Sequence, residues 1–373
     1  MVSKRMSQTS AILLLAHGTP DKLGEMSEYL QKVTGGRPMP QVVVEELQHR
    51  YAEIGLREEP LPEGPPLTRW TLLQGHRLSE RLGQPVYVGM RNWHPYIADV
   101  VARMKADGVK HARVLCLAPQ NSRTSTGLYR RALMEAVGNS FTVDFIAGWA
   151  DEPLLAQAFA ERMWPAWAEA CAATSAAAGK QVRVPILFTA HAVPCLTIMS
   201  STPNNPASPS ARPGAPVPAD GIQHYGHAQK PDPYPVECKH LAMAIAKALR
   251  PVGLTDADWH FAFQSQGIAG APWIRPTVPD TLKALADAGH KGVVLQPIGF
   301  LCDHVEILYD IDIDFKAQAA ALGMKLWRAE SLNDSATLIR AIDQALHRAS
   351  TRLDPNAAPE PAMRPRPTAV AAS

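Results

Sequence analysis

Short apolar runs recur along the chain, separated by stretches in which apolar positions return every three or four residues. The runs Ile12–Ala16, Val86–Gly89, Arg113–Leu117, Thr142–Ile146, Val184–Thr189, His260–Gln264, Gly292–Gln296 and Lys325–Arg328 read as strands. Between them, Thr68–Leu82, Tyr96–Asp107, Gly127–Val137, Pro153–Ala172, Cys238–Leu249, Thr281–Ala288 and Ala336–Arg352 read as helices. This alternation predicts an α/β protein with mostly parallel sheets covered by helices. Such folds place function in the loops beyond the carboxyl ends of the strands.

Two stretches break the pattern. Residues 200–235 are dense in Pro, Ser and Asn with no apolar period, and so is the tail 353–373. Neither has enough apolar surface to offset the entropy of ordering it, so both are expected to be flexible.

A weak internal echo points to two similar halves. Ile12–Pro20 aligns with Ile186–Pro194, each reading strand and then Ala-His-x-x-Pro. In the same order, Ala106-Asp107-Gly108 precedes the strand ending near Pro119, and Ala286-Asp287-Ala288-Gly289 precedes the one ending near Pro297. The expected organisation is a 1–10 extension, an α/β domain over 11–180, and a second over 181–352 whose last helix packs back on the first domain. Both would be doubly wound, Rossmann-like domains. His17 and His191 would then sit at equivalent strand ends, facing one cleft.

Composition narrows the class. With 373 residues, 46% hydrophobic and 19% charged, the chain can build a sizeable core. A formal net charge of +2 gives no electrostatic footprint for nucleic acid. Five cysteines, with no Cys-x-x-Cys pair, support neither a zinc ribbon nor an iron–sulfur cluster. The expected location is the cytoplasm, because no stretch approaches the roughly 20 apolar residues of a membrane span.

The segment Pro297–Phe315 carries the most chemistry. Taken as a helix from about Asp303, it puts Asp303, Glu306, Asp310 and Asp314 on one face at steps of three and four. Like charges at that spacing repel, and a divalent cation would relieve them. A solvated acidic face is the simpler alternative, but the apolar residues between the acids argue for burial. His191, at a strand end, adds an imidazole, which titrates near neutral pH and commonly binds metals. There is no G-x-G-x-x-G, no G-x-S-x-G and no H-E-x-x-H, so nucleotide binding and the familiar hydrolases gain no support. Trp93, Trp273, Tyr51, Tyr129 and Phe300 lie in or near loops that follow strands, and together they suit a flat apolar ligand.

These residues resemble the ferrochelatases, which insert Fe²⁺ into a porphyrin. The resemblance runs from about Ala11 to about Arg348. Thr189–Pro194, Phe263–Gly267, Pro272-Trp273 and Pro297–Asp310 carry it most specifically; Gly18–Pro20, Arg50–Gly55, Gly89–Arg91 and Ala118–Ser122 add to it. It implies chelatase-type domains and a ring held in the cleft between them. It implies that His191 and Glu306 flank the ring and meet the iron, with His191 accepting pyrrole protons. Asp310 and Asp314 would continue the line as a second divalent-metal site or delivery path. Arg50, Tyr51, Ser122, Tyr129 and Trp273 would contact the macrocycle or its carboxylates. No tightly bound cofactor is implied, since iron is a substrate.

The chain also departs from the family. Compact bacterial members that act on coproporphyrin often have Tyr where this chain has His17, which makes His17 a candidate axial ligand of the product iron. The usual Gly-Gly-x-Ser-Pro-Leu stretch is replaced by Gly55–Pro60, and Arg275 stands where Gly is usual. The short early segment Asp21–Glu53 favours coproporphyrin III over protoporphyrin IX. The expected form is a monomer, with contacts to a membrane surface or to other enzymes of haem synthesis left open. The rival readings are a haem or porphyrin carrier and a metal-dependent hydrolase.

Overall fold

A computed structural model describes residues 10–198, 231–266 and 272–353. The N-terminal extension up to residue 9, most of the Pro-rich insertion, Gly267 and the tail beyond Leu353 lie outside them.

The first half contributes β1 (Ser10–Ala16), β2 (Val86–Met90), β3 (His111–Cys116) and β4 (Thr142–Ile146). The second contributes β5 (Ile186–His191), β6 (Trp259–Gln264), β7 (Gly292–Pro297) and β8 (Lys325–Arg328). The sheet orders are β2-β1-β3-β4 and β6-β5-β7-β8, all parallel, so the two halves repeat one doubly wound topology. The strand-end echo falls on the equivalent strands β1 and β5, and the second echo on β3 and β7. In each half the order reverses beside these strands, which opens a crevice at their carboxyl ends. Helices cover both faces, and the central strands are accordingly almost wholly apolar: every residue of β7 is buried, as is all of β1 except Ser10.

The helices are α1 (Met26–Val33), α2 (Gln41–Glu53), α3 (Pro66–Leu82), α4 (Ile97–Ala106), α5 (Thr126–Val137), α6 (Pro153–Ala178), α7 (Cys195–Ile198) and α8 (Tyr234–Ala248). The chain continues with α9 (Val278–Asp287), α10 (Val305–Leu308), α11 (Lys316–Ala321) and α12 (Ala336–Leu346). Helix α6 begins with Pro153 in its first turn, where the missing N–H costs nothing, and Glu152 accepts a hydrogen bond from Leu154 N. It ends at Gly179 in the left-handed conformation. Leu155, Phe159 and Met163 of α6 share one core with Leu14 and Leu115 of the first sheet, Phe188 and Val294 of the second, and Leu338 and Ile342 of α12. The two halves therefore share buried apolar surface, which holds the crevices in register. No helix among the described residues is long and apolar enough to cross a membrane.

Several elements differ from the sequence pattern. Helices α1 and α2 were not expected, because α2 fully buries only Val44 and Tyr51 and shows little period. The helix expected over Ala336–Arg352 stops at Leu346. Thr351–Leu353 instead forms β9, antiparallel to β4, so the chain ends its described course on the first sheet. Helix α8 begins at Tyr234, inside the stretch expected to be unstructured.

Candidate active site

His191 is the last residue of β5, the strand between β6 and β7, and pairs with Gln264 of β6. The Tyr234 hydroxyl donates to its carbonyl oxygen at 3.0 Å. Its ring Nδ1 donates to the Ala192 carbonyl, leaving Nε2 aimed at Glu306 Oε1, 3.1 Å away. Both ring nitrogens thus face oxygens that only accept, an environment that favours imidazolium. Burial alone would push the pKa of His191 down. The Glu306 carboxylate, the Ala192 carbonyl and the charge of Asp310 outweigh it and raise the pKa to about 9. The sequence suggested an imidazole poised near neutrality; these acceptors raise its pKa above that range. Burial likewise works against the Glu306 charge, but His191 and His304 hold that carboxyl well below the usual range.

Glu306 is fixed from several sides. Its backbone carbonyl accepts from Gln264 Nε2 at 2.8 Å, and Gln264 Oε1 accepts from Thr189 Oγ1 at 2.5 Å. Its second carboxylate oxygen lies 3.4 Å from His304 Nε2, while His304 Nδ1 donates to the Cys302 carbonyl. Phe300 packs edge-on against both imidazoles, with ring centroids 6.3 Å from His191 and 4.4 Å from His304. The side chains of His191 and Glu306 remain 34% and 31% exposed, so a ligand can reach both.

The acidic stripe does not form as expected. Asp303 precedes α10 and turns away, accepting from Ser331, Asn333 and Arg328. Asp312, outside the expected stripe, pairs with Arg328 and Lys316. Residues Asp310–Phe315 wind as a π-helix, with Asp314 N bonded to the Tyr309 carbonyl. Asp310 stays buried near the pair, taking a 2.5 Å hydrogen bond from Ser265 and a 3.6 Å ion pair from Arg50. Burial first, and the neighbouring Glu306 charge with it, raises its pKa. Ser265 adopts a left-handed φ of 60°, an uncommon conformation for a side-chain-bearing residue. Asp314 is exposed and bonded to Gln318. Among the described residues no group of three or more His, Cys, Asp or Glu converges to hold a metal ion.

The opposite wall comes from the first half. His17 follows β1, with Asn92 Nδ2 at 3.2 and 3.1 Å from its two ring nitrogens and Tyr29 edge-on. Burial and the Arg91 charge lower its pKa to about 4, and it also senses Glu306, His304 and His191. Gly18 makes this approach possible: its φ is +88°, and a Cβ there would meet Trp93 N at 2.7 Å. The Arg91 guanidinium lies 6.0 Å from the Tyr129 ring centroid.

The remaining expected contacts fall around this cleft but mostly inside its wall. Tyr51 is 5% exposed and takes a hydrogen bond from Thr19; Tyr129 is equally buried. Arg50 is more open, stacked over Tyr309. The Ser122 hydroxyl is already engaged with Thr124 and Asp232. Trp273 bridges to Pro194 and so packs beside the His191 loop. Sequence reasoning missed Asn92, Ser265, His304, Asp232 and Tyr234 as parts of this site. Ser265 and His304 lay inside motifs that carry the resemblance but were given no role, and Asp232 and Tyr234 carried a helix-start pattern, Asp-Pro-Tyr-Pro, hidden inside a proline-rich run.

Two like-wound sheets sharing one cleft, with a histidine–carboxylate pair on its wall, define a chelatase-type α/β enzyme. The family model for ferrochelatase matches residues 9–350. A ferrochelatase of Acidobacterium capsulatum is 51% identical over 357 residues, covering 96% of this chain and 99% of that protein. One of Herpetosiphon aurantiacus is 35% identical, covering 90% and 97%. The coproporphyrin III ferrochelatase of Geobacillus kaustophilus is 29% identical, covering 90% and 95%. The chain belongs to the ferrochelatase family.

Proposed function

We propose that this ferrochelatase inserts Fe²⁺ into coproporphyrin III, with His191 and Glu306 on one side of the ring and His17 on the other. The observation that carries the reading is the 3.1 Å His191–Glu306 pair, partly open to the cleft and backed by His304. The coproporphyrin assignment is supported by the relatives named for that substrate and by the short Asp21–Glu53 segment.

Metallation removes two pyrrole protons as Fe²⁺ enters, so the charge of the ring core is unchanged and two protons must leave. In the resting site His191 already holds a proton. Iron arriving at Glu306 competes for the carboxylate that keeps it there. The imidazole then releases its proton to solvent and becomes able to accept one from the ring. The second proton follows the same route, accepted by His191 once the first has passed to solvent. A metal held by so few side chains is passed on rather than retained, as transfer requires. Asp310 and Asp314 form the outer leg of the iron's route. His17, kept neutral by burial, offers a nitrogen lone pair to the product iron from the opposite face.

The test is anaerobic metallation with Fe²⁺ of coproporphyrin III and of protoporphyrin IX, followed by absorption. A higher kcat/KM for coproporphyrin III is expected. A preference for protoporphyrin IX would overturn the substrate assignment, and no turnover with either ring would overturn the proposal as a whole. Asp314→Asn should raise the KM for iron and leave that for the ring; an unchanged KM for iron removes Asp314 from the route.

A further inference from the structure

We propose that Asp232 and Tyr234, at the start of α8, are positioning residues that set the ring-gripping loop of the first half against His191 of the second. The inference rests on the functional reading above, in which His191 receives the ring's proton, together with the family resemblance that sets Ser122 and Tyr129 toward the macrocycle.

The geometry is a set of bonds made by one short stretch. The Asp232 carboxylate is buried, its side chain 2% exposed. One oxygen accepts from Tyr234 N at 3.1 Å and so stays with its own helix. The other crosses to the first half, accepting from Arg123 N at 2.8 Å and from the Ser122 hydroxyl at 3.3 Å. One turn on, Glu237 Oε2 accepts from Asn121 N at 2.6 Å. Between these two carboxylates, the Tyr234 hydroxyl reaches the other way and donates to the His191 carbonyl at 3.0 Å. Tyr234 is itself only 8% exposed, packed with Ala190, Ala192 and Cys238. The start of α8 therefore touches the loop after β3 with its acids and the end of β5 with its phenol.

Loop 120–126 meets the second half at other points too: Arg123 Nη2 donates to the Ile198 carbonyl at 3.3 Å. Gln120 Nε2 donates to the Ile298 carbonyl at 3.0 Å, at the loop's start. Beyond it, the backbone N–H groups of Asn121 and Arg123 end on α8. A loop that grips one edge of a flat ring must be held within a fraction of an ångström of the group that takes the ring's proton, because misplacement costs rate steeply. A single helix start bonded to both gives that registration. It also explains why a defined helix begins within a proline-rich run: Asp232 and Pro235 fix its first turn.

The two arms make separable predictions. Asp232→Asn keeps the bond to Tyr234 N but sets an amide N–H against Arg123 N–H. It should raise the KM for porphyrin roughly tenfold, weaken ring binding measured by fluorescence quenching by a similar factor, and leave kcat near wild type. Tyr234→Phe removes only the hydroxyl and should lower kcat roughly tenfold with the porphyrin KM unchanged. Glu237→Gln, on the same arm as Asp232, should follow Asp232→Asn and serves if that variant does not fold. A wild type that metallates porphyrin while the variants match it, or while kcat and KM move together in both arms, overturns this inference alone. A wild type that neither binds nor metallates a porphyrin overturns the functional reading and this inference with it.

Discussion

Glu306 Oε1 lies 3.1 Å from His191 Nε2 although the two residues are 115 apart in sequence. Their contact needs β5 and β7 to be neighbours, and it determines the protonation of both groups. The imidazole has acceptors at both nitrogens and the carboxylate has a histidine at each oxygen. The two side chains form an ion pair, and the reaction proposed above begins by breaking it.

Glu306→Gln should remove the charge that holds the proton on His191. NMR titration of labelled histidine should show the His191 pKa fall from about 9 toward or below its ordinary 6.5. Metallation should slow by about 10²–10⁴, the usual range for a positioned proton-transfer group. A variant within threefold of wild type would remove Glu306 from the reaction.

His17 makes a prediction for the product. Bound to iron, its imidazole should give an absorption and resonance Raman signature that disappears in His17→Ala; identical spectra would rule out ligation. Its depressed pKa also carries a stability sign. The folded protein binds the His17 proton only near pH 4, whereas an ordinary histidine binds it near 6.5. The unfolded chain therefore takes up more protons in that window, and stability falls as pH drops through it. His17→Gln should flatten this part of the denaturation profile.

Gly18→Ala should destabilise the fold by about 1–3 kcal/mol. The φ of +88° is strained for alanine, and the new methyl would meet Trp93 N. The same substitution should shift the His17 resonances, because it pushes the 17–20 loop away from Asn92. A melting temperature equal to wild type would contradict the packing described here.

Asp258 tests the second sheet independently of the cleft. Arg183 binds it through two bonds of 2.7 and 2.6 Å, and that pairing, against a smaller burial penalty and aided by Thr255, lowers its pKa to about 2. A depressed carboxylate contributes stability above its unfolded pKa and loses it as pH falls through the folded value. Asp258→Asn should therefore cost about 1–2 kcal/mol at pH 7, allowing for the solvent exposure of Arg183, and almost nothing by about pH 2. Urea titrations at several pH values check this; a pH-independent difference would reject it.

The sequence by itself determined the strands, the parallel α/β class and the equivalence of His17 with His191. Strands buried on both faces must be continuously apolar, and a repeated topology leaves repeated strand ends. It also carried the family motifs around His191 and Glu306. It did not determine which carboxylates share a site. On an ideal helix Asp303, Glu306, Asp310 and Asp314 fall on one face, but Arg328 on β8 draws Asp303 and Asp312 aside, and a π-helix carries Asp314 out to solvent. Nor could local pattern assign Thr351–Leu353 to the first sheet, since the partner strand β4 is some two hundred residues away. The same holds for Asp232 and Tyr234. Their composition reads as linker, and only the packing of α8 against two distant loops gives them a place beside the site.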